Sequence, residues 1–181
     1  MNQHHFKEAF MARFKIYALV LLAPAAFAPA LYAQCRNVNA LIVDSSAPDG
    51  CTSPFNFCAA GTVEGNRGLN GTTYFVLDGV AAGPSTAPGF GSSSGILVYT
   101  THEGTLTVRE TGIAKFSGHP SNGYGAAIEE VISGTGRFEG ATGSLHVRQK
   151  DVNSVFYSKI TGQLCLAEDR GKGKDHDDVD D

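Results

Sequence analysis

From Gly61 to Gly162, glycine-bearing turns recur at short intervals, and the segments between them are runs of β-branched and aromatic residues. No stretch of that region repeats apolar residues at helical spacing over three turns. Chain interrupted this often has no room for a packing helix, whereas strands need only a few residues between turns. Eight runs read as strands: 39–43, 60–64, 72–80, 96–101, 105–111, 126–133, 144–150 and 155–164. The class is all-β, and that many short strands suit a barrel or a sandwich.

Alternation along these runs assigns their faces. In 105–111, Leu106 and Val108 share one face and the threonines the other, so one side is buried and one is wet. The run 72–80 is apolar on both faces, as in a strand covered on both sides or lying beside a ligand cavity. Residues 81–94 are rich in Gly, Ser and Pro with Phe90 as the one large apolar group, and they read as a long flexible loop. A second loop, 118–125, carries His119, Pro120 and Tyr124.

Both ends differ from this pattern. Arg13 and Lys15 precede an apolar run from Ile16 to Ala30, followed by small residues up to Ala33; this reads as an export signal over 1–33. Met11 is an alternative start that would make 1–10 an upstream extension. The run is short for a spanning helix, so no membrane association is expected after cleavage. Residues 34–167 then form one domain, and 168–181, EDRGKGKDHDDVDD, read as a disordered charged tail. The expected location is secreted or periplasmic. The formal net charge of −4, with basic residues scattered, argues against nucleic-acid binding.

Cys35, Cys51, Cys58 and Cys165 all follow the signal, and an even count in an exported chain predicts two disulfides. A meander closing into a barrel brings its first and last strands together. On that basis Cys58 is expected to pair with Cys165, leaving Cys35 and Cys51 to close a local loop. Gln34 before Cys35 argues against lipidation. No close Cys pair has matching His or Cys spacing, so no metal site is expected.

The most distinctive segment is 128–147, IEEVISGTGRFEGATGSLHV. Its Gly-Thr-Gly turn, following Phe and small-residue step into the next strand resemble the allene oxide cyclase and dirigent superfamily, and among its members uncharacterised exported bacterial proteins. The resemblance implies an eight-stranded antiparallel β-barrel of the allene oxide cyclase-like (calycin-like) kind. It also implies cofactor-free handling of a reactive apolar substrate, and association into dimers or trimers. Gly134 and Gly136 are expected to supply positive φ, Phe138 to plug the barrel end, and Gly140 with Gly143 to permit close backbone approach. The resemblance covers scaffold turns and brings no catalytic set, so chemistry is argued from the residues.

Glu110 shares parity with Leu106 and Val108, which turns its carboxyl inward if the strand stays regular; the competing placement is a solvated rim. Of the adjacent Glu129 and Glu130, one faces in, and the alternation does not decide which. Glu110 and Glu130 are the candidate acid–base groups. Tyr74, Phe75, Phe116 and Phe156 are candidate cavity lining. His146 and Arg148, like Tyr157 and Lys159, are expected outside. Three functions are compatible with these features: a barrel binding an apolar or amphipathic small molecule, which is preferred; a cofactor-independent isomerase or cyclase; and a non-catalytic surface or assembly scaffold. Whether the protein is an enzyme stays open, and no cofactor is called for.

Overall fold

The computed structural model describes residues 34–117 and 122–167. They form eight strands: β1 (Gln34–Ser46), β2 (Cys58–Gly65), β3 (Gly71–Ala82), β4 (Phe90–Thr101), β5 (Gly104–Ser117), β6 (Asn122–Gly134), β7 (Thr142–Val152) and β8 (Val155–Leu166). Each pairs antiparallel with its sequence neighbour, and β1 closes on β8. The expected all-β, eight-stranded antiparallel barrel is therefore the fold. The export signal expected at 1–33, His119 and Pro120 of the second loop, and the disordered tail expected at 168–181 fall on residues outside those described. Among the described residues no helix is long and apolar enough to cross a membrane.

Turn chemistry explains the short connections. Val152 pairs with Val155 across Asn153 and Ser154, whose φ angles of 52° and 66° suit a two-residue hairpin whose twist matches its strands. The β4–β5 turn is held by Thr101, whose Oγ1 accepts from the Glu103 N–H at 3.1 Å and donates to the Gly104 carbonyl at 3.0 Å.

The segment 81–94 is a correction. The β3–β4 ladder continues from Gly79 opposite Ser94 to Ala82 opposite Gly91, and the loop shrinks to 83–89. Gly and Ser carry little side-chain signal for a strand, yet their backbone groups pair like any others.

One part of the barrel interior is filled. Leu69, Leu106, Phe138, Leu145, Ile160 and Leu164 are buried in a single cluster with Val38, Tyr99 and Val108. Phe138 belongs to a short 3-10 turn, Gly136–Phe138, tied to the β4–β5 turn by the Arg137 N–H on the Glu103 carbonyl at 2.9 Å. Two glycine roles are exchanged relative to expectation. Gly134 has no positive φ; a Cβ there would lie 2.2 Å from the Phe138 carbonyl oxygen, so it serves close approach. Gly140, at φ 69°, has open space around it and serves conformation, while Gly136 (φ 60°) and Gly143, 2.2 Å from the Gln163 oxygen by the same construction, act as expected.

The disulfides are Cys35–Cys165 and Cys51–Cys58. This corrects the expected pairing, although its premise of closure between first and last strands holds. β1 begins at Gln34 instead of 39, so Cys35 stands opposite Cys165 in the closing ladder. Cys58 opens β2 and ties back to the connection before it. Two disulfides indicate an oxidising compartment.

Candidate functional site

Small residues leave another part of the barrel hollow. Ala59, Gly112, Ala114, Gly125 and Ala127 line a cavity of about 310 Å³ that the described side chains leave open. Its apolar wall is completed by Ile42, Phe57, Phe75, Leu97, Val147 and Phe156. Phe57 meets Phe75 and Phe156 edge-on, with ring centroids 6.5 and 5.9 Å apart. Gly95 makes room for one of these rings, since a Cβ there would stand 2.4 Å from the Phe75 ring.

Into this apolar space the strands turn four carboxyl side chains: Asp44 from β1, Glu110 from β5, Glu129 from β6 and Asp151 from β7. Glu110 and Glu129 stand directly opposite each other in the β5–β6 ladder. Like charges so placed repel. Glu129 is fully buried; its Oε2 accepts from the hydroxyl of buried Tyr99 at 2.6 Å, and its Oε1 has no hydrogen-bond partner among the described residues. Asp44 accepts from the Thr73 hydroxyl, and Asp151 accepts from the Gln149 amide at 2.8 Å. No Lys, Arg or His is among the described residues that line the cavity.

Burial and mutual repulsion set the protonation. Loss of water pushes Glu110 up to about 7, with the Asp44 charge adding to the effect. Glu129 is pushed up to about 8 by burial and then by the Glu110 charge, against the opposing hydrogen bond from Tyr99. Asp44 is also raised by burial, partly offset by the Thr73 hydroxyl. Burial and the neighbouring Glu129 carboxyl hold the Tyr99 phenol well above its ordinary range. Near neutrality the site therefore holds carboxylic acids as well as carboxylates, and can both donate and accept hydrogen bonds.

Of the residues singled out from sequence, Glu110, Phe75 and Phe156 come together at this cavity. Glu130 does not. It faces outward, where the Ser144 hydroxyl donates to it at 2.9 Å, and Glu129 is the inward member of the pair. Here a bulge intervenes: Thr107 pairs with Ser133 but Val108 with Val131, so Ile132 is an extra residue, left 55 % exposed. With Ile128 and Ile132 both outside, the apolar alternation around the glutamates misleads. Tyr74 is a second correction, because inward Phe75 fixes its neighbour on the opposite face and Tyr74 is absent from the lining. The side chain of Phe116 lies outside the described residues. His146, Arg148, Tyr157 and Lys159 are all exposed on the barrel's outer face.

Sequence reasoning missed Asp44, Asp151 and Phe57. Asp44 shares parity with Ile42, and Asp151 with Val147, but each lies one residue beyond the strand end read from the sequence. Extending the alternation past the last apolar residue would have found both. Phe57 precedes β2 and carries no periodic signal. No family model, curated protein or solved structure matches this chain.

Proposed function

We propose that this is an exported barrel that binds a small amphipathic molecule inside its hollow region. One observation carries the reading: a closed barrel keeps a cavity of about 310 Å³ with apolar walls and a few polar side chains among its lining. That is the usual make-up of a small-molecule site, and the volume stands at the small end of the roughly 300–1,000 Å³ such sites span. The similarity of the Gly134–Gly143 segment to allene oxide cyclase and dirigent barrels supports the same reading, since those barrels enclose apolar small molecules. The two disulfides and the basic-then-apolar N-terminus support export.

The test is a neutral naphthalene probe, N-phenyl-1-naphthylamine, whose emission shifts to the blue on leaving water. Full-length protein is expected to shift it saturably, and Ala127→Leu, which fills the cavity, to abolish the shift. An unshifted probe, or equal binding by the filled variant, contradicts the proposal.

A second reading, a cofactor-independent isomerase or cyclase, is favoured by Glu110 and Glu129 themselves. Acids raised to about 7 and about 8 still carry protons near neutrality, where a general acid is most effective. On this reading Glu129 donates to a ligand oxygen and Glu110 accepts a proton. Stereoselective rearrangement of an unsaturated fatty-acid epoxide, lost in Glu129→Gln, would establish it; a product mixture identical to that formed without protein would remove it.

A further inference from the structure

The cavity wall is one-sided in charge. Asp44, Glu110, Glu129 and Asp151 come from four strands, and no cationic side chain among the described lining residues answers them. Structural carboxyls are ordinarily buried with a partner, because an unpaired buried acid costs free energy. On the outside, two acids are paired with arginines: Asp78 with Arg109, and Glu103 with Arg137 at 2.7 Å. Inside, Glu129 Oε1 is buried without a hydrogen-bond partner among the described residues. The acids also do not converge on one point, since no group of three acidic, His or Cys side chains among the described residues is placed to hold a metal ion. An array spread around an apolar chamber suits a cation that is larger than a metal ion and carries its own apolar body.

We infer that the cavity selects a small organic ammonium ion, its N–H donors directed at Glu129 Oε1 and Glu110 and its apolar body against Phe75 and Phe156. This rests on the small-molecule reading above and adds the ligand's charge. Around Glu129 the facing groups are Glu110 on β5, the Tyr99 hydroxyl on β4 and Asp44 across the barrel on β1, while β7 places Leu145 opposite it. No facing group among the described residues supplies positive charge, so the ligand does. Because Glu110 and Glu129 hold protons near neutrality in the empty site, ammonium binding displaces protons, and affinity rises with pH while the amine itself stays charged.

The experiment compares 2-phenylethylamine with its neutral analogue 2-phenylethanol as competitors of the naphthalene probe, from pH 6 to 8. The amine is expected to displace the probe at tenfold or more lower concentration at pH 7.5. Its affinity should rise by up to about tenfold per pH unit, the limit for release of one proton, while that of the alcohol stays level. Glu129→Gln and Glu110→Gln should each weaken the amine at least tenfold and leave the alcohol within about twofold; Glu130→Gln, on the outer face, should change neither. Glu110→Gln keeps the test open if Glu129→Gln fails to fold. An alcohol that competes as well as the amine, an amine that does not compete, or an amine affinity flat in pH overturns the ammonium assignment. Probe binding alongside any of these leaves the cavity reading intact, and failure of the probe itself overturns both.

Discussion

At the residue scale, the unusual member is Glu129, a buried acid whose single described partner is a phenol. Its folded-state value of about 8 and that of Glu110, about 7, both lie above the ordinary 4.5. The folded protein therefore keeps protons that the unfolded chain has already released. The stabilisation these acids contribute is complete below about pH 4.5, declines as pH rises, and is gone above about pH 8. The sum is of the order of several kcal/mol. In urea, the unfolding midpoint is expected to fall steadily from pH 5 to 8.5, and Glu129→Gln is expected to flatten that slope. A midpoint that rises over the same interval contradicts the assignment. Only part of this was legible beforehand. Parity pointed Glu110 inward, while the choice between Glu129 and Glu130 depended on the bulge at Ile132, which belongs to the pairing of two strands and leaves no mark on either alone.

At the element scale, existence was easier to read than extent. Each of the eight strands contains one of the runs read from the sequence, yet β1 reaches back to Gln34 and β4 to Phe90, through residues with weak strand preference. Such extensions come from ladder pairing with a neighbour already in place, which a single segment cannot report. The early start of β1 decides the disulfides. Cys35–Cys165 spans 130 residues and locks the closing β1–β8 ladder, whereas Cys51–Cys58 spans 7. Loop-closure entropy gives about 5 kcal/mol for the long link and about 2 kcal/mol for the short one. Replacing Cys35 and Cys165 by Ser should therefore lower stability by clearly more than replacing Cys51 and Cys58, as read by chemical denaturation. Equal losses, or a larger loss at the short link, would show that the long link does not constrain the unfolded chain.

At the scale of the whole molecule, the barrel divides its interior between a part filled by Phe138 and its aliphatic neighbours and a part hollowed by Gly and Ala. The filled part makes the hollow one affordable: with the fold held by the core and two disulfides, the remaining interior can carry carboxyls and empty space. Class, strand count and part of the aromatic lining could be argued from the sequence, whereas the small-residue wall that hollows the barrel could not, because Gly112, Gly125 and Ala127 read as turn-formers or weak strand residues until closure turns them to one centre. The central claim is that this space takes a small molecule, and the most direct measurement is native mass spectrometry of the protein purified from the cells that make it. The account predicts a mass excess of one small molecule per chain, or its appearance on adding a small amine, and its absence in Ala127→Leu. A clean protein mass that persists through incubation with amines, alcohols and fatty acids would contradict it.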